Sequence, residues 1–272
     1  MRRAWLLAAI LLGLSGTARA ESIVLASTTS VDNSGVLAKI LPVFTQQTGI
    51  EVKVLAQGTG QALATAARGD ADLVLVHDPD AEAAFIAQGH GILRREIAWN
   101  DFLFVGPKSD AAGIAGSHDA VLALKAIATK GVAFVTRGDK SGTDAAEKRL
   151  WKKTGINPVG QPWYRDIGGG MGAALNVAAA MEAVVFTDRG TWLSFQNKRD
   201  LVALVEGDAS FINRYDVIQM NPVLHPNIKQ EAARKLADWL AGPVGQREIG
   251  AVEQGGVQLF HPDADKVYVP RM

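Results

Sequence analysis

Four turns in this 272-residue chain carry the groups needed to surround a hydrogen-bond acceptor. Ala26-Ser27-Thr28-Thr29-Ser30 follows the apolar run Ile23-Val24-Leu25, and Gln57-Gly58-Thr59-Gly60-Gln61 follows Val52–Ala56. Arg137-Gly138-Asp139-Lys140-Ser141-Gly142-Thr143 follows Val132–Thr136, and Gly168-Gly169-Gly170-Met171-Gly172 follows the region Trp163–Asp166. Each turn opens a segment with helical spacing. Hydroxyls donate readily, glycines let backbone N–H groups approach a ligand, and a helix start adds unpaired N–H groups and a dipole that favours negative charge. Taken singly, each turn has an ordinary reading. Ser and Thr cap helices, three glycines make a flexible loop, and arginine near aspartate forms a surface ion pair worth little. Taken together they describe two donor-rich walls facing across a cleft. Arg137 then reads as an anion contact, because its planar fork suits bidentate recognition. A ligand that accepts on every side and carries negative charge is a small oxyanion.

The elements that must position these turns alternate. Strand candidates are Ile23–Ala26, Val52–Ala56, Leu73–Val76, Phe102–Val105, Val132–Thr136, Val184–Thr187, Leu201–Val205 and Val217–Met220. Helical spacing runs through Val36–Phe44, which Thr48-Gly49 terminates and Pro42 should kink unless it lies in the first turns. It recurs over Gln61–Arg68, Ala81–Gln88, Asp119–Thr129, Ala145–Lys153, Ala173–Met181 and Ile228–Leu240. Strands alternating with helices predict an α/β fold with mostly parallel sheets, whose ligands bind beyond the carboxyl ends of the strands. Polar clusters at Arg94–Asp101 and Glu206–Tyr215 mark two seams. They predict a discontinuous first lobe, residues 21–98 plus 208–272, and an inserted second lobe, 99–207. Clefts between lobes are favoured ligand sites.

Met1-Arg2-Arg3, the apolar run Trp5 to Leu14 and an Ala18-Arg19-Ala20 cleavage pattern together read as a signal peptide over residues 1–20. That run is too short to span a bilayer. Removing Arg2, Arg3 and Arg19 from a chain of 28 basic and 28 acidic residues leaves a formal charge of −3. No basic stripe suggests nucleic acid, so an anion must be captured by local donors. With no cysteine, thiolate metal sites and a lipobox anchor are excluded, and a freely diffusing exported protein is expected.

The turns match neither a Walker loop nor G-x-G-x-x-G, and neither G-x-S-x-G nor H-E-x-x-H occurs. No cofactor is implied, and a binding module rather than an enzyme is expected. His77, ending a buried strand beside Asp78-Pro79, reads as a satisfied structural histidine.

Several motifs in order resemble one family. They are Ala26 to Ser30, Gly58-Thr59-Gly60-Gln61-Ala62-Leu63, Gly69-Asp70-Ala71-Asp72, Asn100-Asp101-Phe102, Arg137 to Thr143, Gly170-Met171-Gly172 and Thr187-Asp188-Arg189-Gly190. The chain resembles the periplasmic tungstate-binding proteins of Tup-type ABC importers, within the type II solute-binding proteins, over nearly all its length after residue 20. Ser27 stands where that family has threonine. The resemblance implies a two-lobed periplasmic-binding-protein fold, two mostly parallel sheets flanked by helices, closing on tungstate or molybdate and delivering it to a membrane permease. It also implies Arg137 as the cation, Thr28, Thr29, Thr59, Ser141 and Thr143 as hydroxyl donors, and Met171 and Gly172 as main-chain donors. Gly58 and Gly142 stand beside them, and Ser27 and Ser30 read equally well as caps. Tungstate and molybdate are fully deprotonated at pH 7, whereas hydrogen phosphate wants an acceptor. Asp139, Asp144 and Asp188 lie near enough in sequence to supply one, so a receptor for phosphate or another oxyanion stays open. A secreted phosphate-ester hydrolase with Ser27 or Ser141 as nucleophile is a further alternative. Asp139 and Asp188 are read as orienting Arg137 and Arg189 or capping helices.

Overall fold

Apolar runs of strand length alternate with amphipathic segments, and the computed structural model folds them into sheet and flanking helices over residues 21–264, with backbone also at 267 and 268. The expected signal, residues 1–20, lies outside the described residues. In chain order the elements are β1 (Ser22–Thr28), α1 (Thr29–Asn33), α2 (Val36–Thr48), β2 (Glu51–Gln57), α3 (Thr59–Ala67), β3 (Leu73–Val76) and α4 (Pro79–Ala87). There follow β4 (Gly91–Pro107), α5 (Ala120–Lys130), β5 (Phe134–Thr136), α6 (Gly142–Thr154), β6 (Tyr164–Asp166) and α7 (Met171–Met181). Then come β7 (Val184–Asp188), α8 (Arg189–Ser194), β8 (Leu201–Val205), β9 (Ile212–Met220), α9 (Gln230–Ala241) and α10 (Pro243–Gly250). Short strands at His261–Pro262 and Val267–Tyr268 pair back onto β4. Gly49 ends α2 in the left-handed conformation, and Pro42 sits in the second turn of that helix. Among the described residues, no helix is long and apolar enough to cross a membrane.

The strand order is β2-β1-β3-β9-β4-β7-β5-β6. The β2-β1-β3 and β7-β5-β6 runs are parallel. Within this sheet the antiparallel pairs involve the two strands through which the chain crosses, among them β3 with β9, β9 with β4, and β4 with β7 and β8. The sheet is therefore mostly parallel but mixed, because the chain leaves through β4 and returns through β9 in the opposite direction.

Four buried clusters flank this sheet. One contains Ile97 and Ala98 of β4 with Tyr215 and Val217 of β9, packed with α2 and α9, and a second contains Ile218 and Met220 of β9, packed with α3. The other two start at Phe102 and Leu103, which alternate to opposite faces of β4, and gather α5, α6 and α7. Core membership thus changes between Ala98 and Phe102 on one strand and between Phe211 and Tyr215 near the other. The result is a two-lobed α/β protein, with one set of cores on each side of the crossing strands.

The first polar seam turns out to be strand throughout, and the second passes from a loop through a 3-10 turn, Ala209–Phe211, into β9 at Ile212. Glu96 and Asn100 are buried in β4, and β4 pairs with β9 from Gly91 to Asp101. Their polarity is compensated locally: Arg214 meets Glu96 at 3.3 Å, and Arg94 meets Glu82 at 3.0 Å and Asp216 at 3.2 Å. Burial and the adjacent Asp216 push the Glu82 carboxyl well above its ordinary value, against the pull of Arg94.

Candidate oxyanion site

In the first lobe, β1 runs out at Thr28, whose extended backbone makes it the N-cap of α1. Its Oγ1 accepts from the Val31 N–H at 3.3 Å and keeps its own hydrogen to donate. Thr28 and Ser30 are buried, and Thr29 is partly so. Ser27 points elsewhere, donating to the Leu75 carbonyl of β3 at 2.9 Å. After β2, Gly58 caps α3 with no side-chain hydrogen bond, so the first N–H groups of that helix stay open. Thr59 is 1 % exposed, and its Oγ1 has no partner among the protein atoms.

In the second lobe, the turn after β5 is folded around two carboxylates. Asp144 accepts from Gly138 N at 3.2 Å and Lys140 N at 3.1 Å, and it pairs with Lys148. Asp139 accepts from Ser141 N through Oδ1 and holds Arg137 through Oδ2, with Nε at 3.1 Å and Nη2 at 2.5 Å. Burial pushes the Asp139 carboxyl up, but hydrogen bonds from Ser141 and the Arg137 guanidinium outweigh it and hold it below its ordinary value. Gly138 has φ +65° and lies against Asp166, where a Cβ would collide. Ser141 caps α6 by accepting from Asp144 N. Arg137 is not the surface ion pair of the ordinary reading. It is 2 % exposed, and its Nη1 has no protein partner.

The fourth turn is tied to the third, since Gly169 N donates to the Arg137 carbonyl at 2.9 Å. Gly170 caps α7 without a side-chain bond, leaving the N–H groups at Met171 and Gly172 open at the helix start. Met171 is buried and Gly172 exposed.

The two walls touch. A Cβ on Gly58 would lie 3.8 Å from the Asp139 carbonyl, and one on Gly142 would lie 2.7 Å from the His77 ring. Gly142 is therefore required by close approach between the lobes. Thr59 Oγ1, Arg137 Nη1 and Thr143 Oγ1 are thus buried, unpartnered donors drawn from both walls. Asn100 Nδ2, on a strand beside these turns, is also unpartnered. Such groups normally find partners, and leaving one unmet costs about 1–3 kcal/mol. The three acids named as alternative acceptors are turned into their own loops. Asp139 and Asp144 are engaged as above, and Asp188 caps α8 through Thr191 N at 2.8 Å and Thr191 Oγ1 at 2.7 Å. Arg189 is oriented by Asp101 and Glu206, not by Asp188.

His77 is satisfied, as its sequence context suggested, but it also lies in this site. Its Nε2 is 2.8 Å from Ser30 Oγ and 3.1 Å from Thr28 Oγ1. Burial lowers its pKa to about 4, with Asp188 opposing that shift and Arg137 and Arg149 adding to it. A sequence signal existed, because His77 ends a strand at the same sheet edge as Thr28. Using it required knowing that β1 and β3 are neighbours. Among the described residues, no group of three or more His, Asp or Glu side chains could hold a metal ion.

Residues 15–244 match the PBP superfamily domain. The chain is 43 % identical over 249 residues to the tungstate-binding protein TupA of Peptoclostridium acidaminophilum, covering 90 % of this chain and 87 % of that one. It is 38 % identical over 215 residues to TupA of Campylobacter jejuni, covering 78 % and 80 %. The solved structure of the tungstate-binding protein TupA from Desulfovibrio alaskensis G20 is similar with a TM-score of 0.81 at 41 % identity, over 90 % of this chain and 100 % of that one. The chain belongs to the TupA family of tungstate-binding proteins within the PBP superfamily.

Proposed function

We propose that this protein binds one tungstate between its lobes and delivers it to the membrane permease of an ABC importer, with molybdate as the nearest competing ligand. It acts as a periplasmic monomer, exported by the signal-like segment 1–20, and performs no catalysis. The first lobe comprises residues 21–98 and 208–272, and the second 99–207. One observation carries this reading: three buried donors without protein partners, Thr59 Oγ1, Arg137 Nη1 and Thr143 Oγ1, come from both lobes. Thr28, Thr29 and Ser141 add hydroxyls, and the open N–H groups at Met171 and Gly172 add backbone donors. Gly58 and Gly142 let the walls approach. Ser30 supports Thr28, and the Ser27 hydroxyl serves the sheet.

An all-donor site suits an oxyanion with no proton of its own. Asp139, Asp144 and Asp188 accept bonds from their own loops, which argues against hydrogen phosphate. Charge-assisted hydrogen bonds contribute about 1.5–3 kcal/mol each. Six or seven of them, less the costs of ordering and lobe closure, reach roughly nanomolar affinity. Native mass spectrometry with tungstate, molybdate, sulfate and phosphate tests the reading. One tungstate per chain is expected; stable phosphate or sulfate binding with no tungstate adduct would overturn it.

A further inference from the structure

Among the buried polar groups behind the donor set, His77 has the most specific surroundings. Asn213 directs its amide hydrogens to Asn100 Oδ1 at 2.8 Å and Tyr215 Oη at 2.7 Å, so its Oδ1 faces His77 Nδ1 at 3.0 Å. A carbonyl oxygen only accepts, so this network assigns the ring hydrogen to Nδ1 and leaves Nε2 as a bare acceptor. Burial keeps the ring neutral near pH 7. Two hydroxyls compete for that one lone pair. Ser30 Oγ is the nearer, and it lies 3.0 Å from Thr28 Oγ1. Once Ser30 satisfies Nε2 and Val31 N–H satisfies Thr28 Oγ1, the ring makes no demand on the Thr28 hydrogen, which Ser30 Oγ at 3.0 Å or a ligand can accept. The ring is held on its other sides by Tyr215, 5.0 Å away between centroids, and by Gly142 at the start of α6.

We infer that His77 is a positioning residue: by accepting from Ser30 it keeps the Thr28 hydrogen off the ring and available to the oxyanion, and by seating Gly142 it sets the second wall against the first. The inference rests on the proposed function and assigns His77 no direct contact with the ligand. Two isosteric substitutions separate its halves. His77→Gln keeps an amide where Nε2 stands, facing Ser30 and Thr28. His77→Asn keeps one where Nδ1 stands, facing Asn213, and loses the hydroxyls.

Calorimetric titration with tungstate, alongside thermal melting, gives the test. His77→Asn is expected to weaken binding at least tenfold and His77→Gln about threefold. Thr28→Ala should cost clearly less in the His77→Asn background than in the wild type, because the two then act through one hydroxyl. Equal losses in both variants that track their melting temperatures, or additive losses in the double variant, would overturn the inference. Wild-type affinity in His77→Asn would overturn it as well. If the unaltered protein binds no tungstate, the proposed function fails and takes this inference with it; only that outcome touches both.

Discussion

Two arginines in the second lobe sit in nearly the same local sequence and end in opposite situations. Arg137 follows Thr136 at the end of β5, and Arg189 follows Thr187-Asp188 at the end of β7. Both lie in turns that open a helix, and both have an aspartate within two positions. Arg189 meets Asp101 through Nε and Nη2, each at 2.6 Å, and Glu206 through Nη1 at 2.8 Å. Arg137 meets a single carboxylate oxygen, and its Nη1 stays unpartnered although the side chain is far more buried. The difference lies in how many acids the fold brings to each guanidinium. Two acids saturate Arg189 into a strut between β4 and α8. One acid, Asp139, orients Arg137 by one edge and leaves the other for a ligand.

The comparison breaks most sharply at Arg137. Arg137→Ala should weaken tungstate binding by at least about a hundredfold, roughly 2.7 kcal/mol, while circular dichroism still reports a folded chain. An unchanged dissociation constant would remove Arg137 from the site. Next come the unpartnered hydroxyls. Thr59→Ala and Thr143→Ala should each cost about tenfold in affinity without lowering the melting temperature of the ligand-free protein, because neither hydroxyl has a protein hydrogen bond to lose. A fall in stability at unchanged affinity would assign them to the fold. The smallest effect on binding belongs to Arg189→Ala. Affinity should stay within about threefold, and the partly exposed ion pairs should cost about 1 kcal/mol at most, read as a melting shift of a few degrees. A loss matching that of Arg137→Ala would erase the distinction.

The same contrast shows how caps and ligand donors relate. Thr28 and Ser141 cap their helices by accepting N–H bonds, yet each retains its hydroxyl hydrogen. Gly58 and Gly170 leave their helix starts uncapped. Capping and ligand binding are thus compatible in a hydroxyl, and an alternative drawn between them was too strict. Ser27 shows the reverse: a hydroxyl in the same run of four is taken by the neighbouring strand.

Much of this protein was legible in its sequence. Apolar runs and helical spacing located the strands Leu73–Val76 and Leu201–Val205 with the bounds seen, and α2 with its glycine stop. They also located the four turns beyond strand ends. The short helices α1, α8 and α10 were not legible, because too few residues carry their period. The strand pairing within the two seams was not legible, because Glu96, Asn100 and Asn213 are polar and only pairing between β4 and β9 makes them buried.

What the sequence determined by itself was local: element type, turn chemistry and the supply of donors. Tertiary structure alone decided which donors go unpartnered. Whether Arg137 meets one acid or two, whether Ser27 reaches Leu75, and whether His77 lies under Thr28 depend on which strands become neighbours. Hydrogen-bond saturation is a property of distances between segments remote in sequence, and residue type sets only the capacity to bond, not the partner.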